Sequence, residues 1–235
     1  MRKSLVASAV MLSLSAGCAS YVTPGGPVKL AEISRVGDDM ASRQPSPKFP
    51  ASIGVVRVQA PRYASASTRG YGKGVFSLVT AQELIGDPQL AAIGGWASVG
   101  KVQTLDTSLL PSKFDSLDDL RLAAAKLQID VLLVTTVDTV FEAGGKTFGP
   151  SSDFKLGKSD TDAAIRSTAS AVFVDVRTGF SYGQAEAGAR AADLAAAGNS
   201  EKSLDRLRLQ TERQAFEAFL VEAQTTWAGI ERRYN

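Results

Sequence analysis

The sequence predicts an α/β (α+β) domain: a mixed sheet in two or three layers, with helices packed on it and a long C-terminal helix. Three stretches carry that expectation. In the first, Leu117, Leu120, Ala124 and Leu127 recur at helical spacing, and the helix they define runs almost directly into Val131-Leu132-Leu133-Val134-Thr135-Thr136-Val137. An uncharged, largely apolar run of that length belongs to a strand covered on both faces. In the second, Ser167–Val176 and Phe180–Ala187 flank Arg177-Thr178-Gly179 and read as two arms of a hairpin. In the third, residues 200–232 place Phe216, Leu220, Ala223, Trp227 and Ile230 on one helical face, with Glu, Arg, Lys and Gln elsewhere. Such a helix is expected to cover the sheet.

The remaining elements follow in order. Ser52–Gln59 is rich in β-branched residues and bounded by Pro50 and Pro61, which makes it a strand. Gly74–Val79 is a second strand, expected to pair with the first. Asp87 is expected to cap a short helix ending near Gly94-Gly95. Trp96 and Val99 then pack as the chain leaves it, and Val102–Leu105 is a further strand, ended by Leu109-Leu110-Pro111. Ser116 precedes Leu117-Asp118-Asp119, so acidic residues sit in the first helical turn, where they offset the positive helix end. Adjacent helical positions point about 100° apart, so Asp118 and Asp119 read as caps rather than as a catalytic pair. Residues 142–164 contain glycines, a proline and scattered charges without a period, and are expected to form a long loop. On the returning hairpin arm Tyr182, Gln184, Glu186 and Arg190 alternate with Gly and Ala, leaving one face wet.

Composition narrows the chemistry. Hydrophobic residues make up 44% of the 235 and charged residues 21%, enough apolar content for one folded core. Arg2 and Lys3 account for the whole net charge of +2, so the rest of the chain is balanced and has no general attraction to nucleic acid. The chain has no histidine and one cysteine. A Ser-His-Asp triad, an imidazole proton shuttle and a His-based metal site are therefore excluded. No cofactor motif is present, and no metal site or catalytic residue is assigned.

Met1-Arg2-Lys3 is a short basic segment followed by Leu5–Leu14, ten uncharged residues. Spanning a bilayer takes roughly 20 residues, so this is the apolar region of an export signal. It closes with Leu14-Ser15-Ala16-Gly17-Cys18, which resembles a bacterial lipobox: small residues before a cysteine whose thiol takes a diacylglycerol. The motif usually has Leu three residues before the cysteine; here that position is Ser15. The resemblance implies a signal peptide at 1–17 and lipidation at Cys18. Ala19 in place of Asp implies an outer-membrane anchor facing the periplasm, the alternative being the periplasmic face of the inner membrane. Residues 18–50 hold Pro24, Pro27, Pro45, Pro47 and Pro50, five of the nine prolines, and are expected to be a lipidated, solvated tether in which 28–40 forms one short helix. The folded domain is expected over 51–235.

Pro61–Gly74 carries Arg62, Tyr63, Arg69, Tyr71 and Lys73 among Gly70, Gly72 and Gly74. Basic and aromatic side chains on a glycine-rich loop suit an anion or a sugar chain, although the spacing is not that of a phosphate-binding loop. These five residues are the candidate ligand surface. Finally, Phe49-Pro50-Ala51, Ile53–Val58, Leu117-Asp118-Asp119-Leu120-Arg121 and Asp130–Val134 resemble the rhombotarget lipoproteins. The element order is similar to the domains of the curli secretion lipoprotein and the N-terminal domain of TolB. The resemblance implies a fold and an envelope address, with no activity attached. The expectation is a non-catalytic envelope lipoprotein, attached to the membrane through acylated Cys18, that binds an envelope protein or glycan. The alternatives are a carboxylate-dependent hydrolase of cell-wall glycan and a self-assembling structural protein using strand 182–191 as an edge.

Overall fold

The computed structural model describes residues 20–33, 42–105, 107–156, 162–192, 194 and 200–235. The export signal and Cys18 lie outside these residues. The chain begins with β1 (Tyr21–Val22) and α1 (Leu30–Ile33), then β2 (Ala51–Gln59), β3 (Lys73–Gly74) and β4 (Ser77–Leu78). Helix α2 (Asp87–Gly94), β5 (Val99–Thr104), β6 (Lys113–Phe114), α3 (Asp118–Lys126) and β7 (Val131–Ala143) follow. The last third contains β8 (Lys146–Phe148), β9 (Asp153–Phe154), β10 (Ala164–Asp175), β11 (Ser181–Ala192) and the 34-residue helix α4 (Glu201–Tyr234).

A seven-stranded mixed sheet organises these elements. Strand β2 is parallel to both β5 and β7, while β10 and β11 extend the β7 side in antiparallel fashion. β11 is the outermost strand. Because β7 is apolar on both faces, each face takes a helical layer. Val131 and Leu133 pack with Phe216, Phe219, Ala223 and Trp227 of α4 and with Ile93 of α2. Leu132 and Val134 pack with Leu120, Ala123 and Ala124 of α3. The predicted sheet with helices on it is therefore three layers thick, with the long C-terminal helix covering β10 and β11. On α4, Phe219 takes a fully buried place and Leu220 only a half-buried one.

The start of α3 has Asp118 and Asp119 in its first turn as expected, but neither is the cap: Leu117 takes that place, with no side-chain cap bond. Asp118 N–H donates to Ser116 Oγ (3.2 Å), and Asp119 Oδ2 accepts from the amides of Asp115 (2.8 Å) and Ser116 (3.1 Å). Arg121, paired with Asp118, donates from Nε to Val176 O (3.1 Å) and from Nη2 to Arg177 O (2.8 Å), tying α3 to the turn between β10 and β11. Helix α2 starts differently from expectation. Gly86 is its cap, and its amide donates to Gln89 Oε1 (3.1 Å), while Asp87 lies inside the first turn just before Pro88.

Two larger expectations are corrected. Residues 20–33 and 42–50 do not form a solvated spacer. Tyr21 is fully buried and packs tilted against Phe141 at 5.3 Å, and β1 pairs with β9. Val28 and Ile33 join the core beside α3, and Phe49 packs on Trp227 at 5.8 Å. These apolar side chains outweigh the proline content that suggested a tether. Only residues 30–33 of the expected 28–40 helix are helical among the described residues, as α1.

The expected loop at 142–164 is partly a hairpin: β7 runs on to Ala143, turns through Gly144 and Gly145, and returns as β8. Both glycines have positive φ, 56° and 71°, the geometry that suits a two-residue turn to the twist of its strands. Residues 157–161 of that stretch lie outside the described residues.

Asp162 Oδ1 and Oδ2 accept the amides of Gly144 (3.1 Å) and Gly145 (3.2 Å), and these bonds hold its carboxyl below the usual range. A depressed native pKa contributes stability above the unfolded value and loses it as pH falls through the native one. Amide protection at Gly144 and Gly145, measured by NMR exchange and corrected for intrinsic rates, should collapse with acidification while β7 stays protected. Asp162→Asn should remove that pH dependence.

Candidate functional site

The loop between β2 and β4 lines an open groove of about 710 Å³, bounded by Pro61, Arg62, Tyr63, Arg69, Lys73 and the glycines at 70, 72 and 74. The backbone reaches this shape because Gly72 and Gly74 have φ of +86° and +109°. A Cβ at Gly74 would lie 1.9 Å from Phe114 O, and one at Gly72 would lie 2.2 Å from the Phe114 ring. The loop therefore lies flat on Phe114, and Lys73 stays outside. Arg62, Arg69 and Lys73 are exposed, and no carboxylate pairs with any of them among the described residues. Four of the five sequence-assigned residues thus meet at one groove. Tyr71 does not. It turns inward, half-buried against Phe114 at 6.3 Å.

Tyr63 forms the inner wall and connects the groove to a buried polar network that the sequence reading did not anticipate. Arg57 on β2 is 2% exposed; its Nη2 donates to Tyr63 OH (3.3 Å), and its guanidinium lies over the Tyr63 ring at 5.5 Å. The same nitrogen is 3.7 Å from Glu212 Oε2 on α4. Glu212 Oε1 accepts from Arg208 Nη1 (2.8 Å) and from Thr139 Oγ1 (2.9 Å), with Ser167 Oγ 3.1 Å beyond Thr139. Arg208 also donates to Asp205 Oδ1 (2.8 Å) and to Ser67 Oγ (3.0 Å). Tyr21 OH completes the set with a 3.1 Å bond to Asp205 Oδ1.

Charge pairing holds the buried Arg208 cation. Burial works against the Arg208 cation, but Glu212 and Asp205 more than offset it and push its pKa above the ordinary arginine value. The phenols of Tyr21 and Tyr63 are pushed up, chiefly by burial. Arg57 is less well provided for: its Nε and Nη1 are buried without an acceptor. Leaving a buried donor unmade costs about 1–3 kcal/mol and more where the group is charged, so this side chain is the least satisfied member of the network.

A signal for the network was present in the sequence. Arg57 alternates with Ile53 and Val55 along a buried strand, and Arg208 and Glu212 stand one turn apart in line with Phe216. Charges at core positions are the mark of an internal ion pair. The pairing itself joins residues far apart in sequence and needed the tertiary structure.

No protein-family model, no curated protein and no solved structure matches the chain. The site is accordingly understood from its own geometry. Among the described residues, no group of three or more acidic, histidine or cysteine side chains is placed to hold a metal ion, and no helix is long and apolar enough to cross a membrane.

Glu212 is the shared counter-charge of two buried arginines, so Glu212→Gln should lower the unfolding free energy by about 3–5 kcal/mol, the cost of stripping the partner from a buried charge. Thr139→Val removes one hydrogen bond to the same carboxylate and should cost only about 1 kcal/mol. Urea denaturation of both variants measures the difference. A cost below that of Thr139→Val would overturn the assignment of Glu212 as the central charge.

Proposed function

We propose that the chain is a non-catalytic envelope lipoprotein, held at the membrane by acylated Cys18, that binds a phosphate-bearing glycan of the envelope through the Pro61–Gly74 groove. The observation that carries this reading is the convergence of Arg62, Arg69 and Lys73 on one open groove with no carboxylate among the described residues to neutralise them. Three unpaired cations repel one another and are kept together by the loop backbone. An anion bridging them relieves that repulsion, and the glycine-lined floor leaves room for sugar rings.

The position of the groove supports the membrane address. Gly25 N–H donates to Ala64 O (2.8 Å), so the groove loop lies beside the N-terminal segment. Tyr21, three residues after Cys18, is buried. Three residues reach at most about 11 Å, so an acyl anchor at Cys18 holds the groove end of the domain close to the lipid surface. Asp205 and Glu212, the carboxylates of the buried network, both neutralise Arg208. That assignment favours a binding module over the carboxylate-dependent hydrolase.

Two measurements test this reading. Cys18→Ser should leave an unacylated, uncleaved precursor in membrane fractions; normal maturation without lipid would refute the anchor. The lipidated full chain in zwitterionic nanodiscs should bind phosphorylated envelope oligosaccharide in a salt-sensitive way and its dephosphorylated counterpart poorly. Replacing Arg62, Arg69 and Lys73 together by Gln should weaken binding roughly 10- to 100-fold, from about 0.5–1 kcal/mol per exposed charge contact. Unchanged binding by that variant would remove the groove from consideration.

A further inference from the structure

We propose that the chain forms a twofold-symmetric dimer in which β11 pairs antiparallel with β11 of a second copy, about an axis at Gly188. Strand β11 is the outermost strand of the sheet, and no strand among the described residues pairs with its outer edge. It has 12 residues, against roughly 5–6 in the commonest strands. Exposed edges are ordinarily blunted by short strands, proline, bulges or charge. Strand β11 holds no proline, and its one irregularity against β10 falls at Phe173/Val174, before Gly183. From Gly183 to Ala192 the edge is regular, a ready template for another strand. The two charges on it, Glu186 and Arg190, are opposite in sign.

These two charges specify the partner. Ala185, Ala187 and Ala189 pack into the cluster beneath α4, so the alternate residues Glu186 and Arg190 are exposed on the other face of the sheet. Arg190 stands directly opposite Arg166 of β10, and like charges in that relation destabilise a strand pair. Arg166 takes Glu142 at 2.9 Å, and no carboxylate among the described residues pairs with Arg190. Glu186 accepts from Ser170 Oγ (2.7 Å) and has no cation among the described residues. Antiparallel pairing about Gly188 sets Glu186 of each copy opposite Arg190 of the other. Each Arg190 then lies between Arg166 and a carboxylate. An axis at Glu186 would set glutamate against glutamate, an axis at Arg190 arginine against arginine, and in-register parallel pairing would do both. The edge is therefore complementary to itself in one register, which favours a second copy over an unrelated strand. Such an interface is isologous and closes at two copies, because it uses the β11 edge of each. Strands β11 and β4 stand at opposite ends of the strand order, so this surface is distinct from the glycan groove.

The test uses the full chain purified from membranes, with sedimentation velocity reading the monomer–dimer ratio. A concentration-dependent dimer is expected. Glu186→Arg alone, or Arg190→Glu alone, sets like charges against each other twice per dimer and should weaken it roughly tenfold. Combining the two substitutions restores opposite charges across the axis and should recover the dimer. Cysteine crosslinking reads the register. The two copies of residue 188 lie about 4.5–5.5 Å apart at Cα, so Gly188→Cys should give a disulfide-linked dimer on mild oxidation. A Cβ there meets Ser167 O at 3.3 Å, which a small shift accommodates. Gln184→Cys holds its two thiols about 27 Å apart and should stay unlinked. The parent chain, whose one cysteine is Cys18, is the blank. Should Gly188→Cys fail to fold, the charge series decides, since it changes exposed side chains alone. A monomer at every concentration, no recovery on combining the two substitutions, or equal linking at 184 and 188 would each overturn the proposal. So would a link from Gly188→Cys in native membranes to a different protein in place of the second copy.

Discussion

The domain depends on one buried carboxylate. Glu212 accepts from Arg208 and Thr139 and faces Arg57, so a single side chain on α4 is joined to β2 and β7, and through Arg208 to the groove loop at Ser67. Asp205 extends the same set to Tyr21 of β1. A buried ion network contributes little net stability compared with well-packed apolar side chains, because desolvating the charges offsets most of their attraction. Its effect here is on register. Helix α4 is about 50 Å long at 1.5 Å per residue, and much of its inward face is Ala, Phe and Leu. Sliding such a face by one turn changes the apolar contacts modestly. It would, however, carry Glu212 about 5 Å along the sheet, past Arg57 and Thr139, and leave Arg57 buried without its counter-charge, because Arg208 and Asp205 move with Glu212 on α4. The network thus selects one placement of the helix among several with similar hydrophobic burial.

That placement determines the shape of the sheet's ends. With α4 and α2 on one face and α3 on the other, β7 is enclosed, whereas β2 is paired along only part of its outer edge. The gap between β5 and β4 follows from the crossovers: each right-handed connection takes its helix to the face required by its direction, and the loops diverge where the directions differ. Arg57 lies at this gap because its neighbours Val56 and Val58 face the α3 side, which turns the arginine toward α4 and its carboxylate. The residue that fixes helix register is therefore also the one left with unmade donors, at Nε and Nη1.

The parts of the fold written in local chemistry were legible. The 117–137 helix and strand, the hairpin from 167 and the amphipathic C-terminal helix all follow from periodicity, which depends on nearest neighbours. The groove residues were legible by composition, except that Tyr71 and Tyr63 look alike in sequence and only packing separates the inward ring from the groove wall. Longer-range features were not legible. The N-terminal segment reads as a tether because prolines dominate it; only β9 and Phe141, more than a hundred residues away, give Tyr21 a place to be buried. The hairpin after β7 was obscured by its charges, although Gly144-Gly145 is a recognisable turn pair. Arg57, Arg208 and Glu212 were passed over because a charge within an apolar pattern has meaning only once its partner is known.

The burial of Tyr21 changes what an acylated Cys18 would mean. A free tether of some thirty residues would let the domain sample a volume on the order of 30 Å across, and a binding groove could then face any direction. Three residues permit no such freedom. The segment from Tyr21 to Val28 is bound along the domain by Thr23 to Gly149 and Ser152, by Gly25 to Ala64, and by Val28 to Thr136. An anchor immediately before it would orient the whole molecule and not merely localise it. The cationic groove would be kept within reach of the surface, which favours ligands displayed there over soluble ones. With such an anchor, the effective concentration of a surface-bound anion near the groove would depend on the rigidity of residues 21–28, and affinity weak at each cation would become sufficient when anchor and groove engaged together.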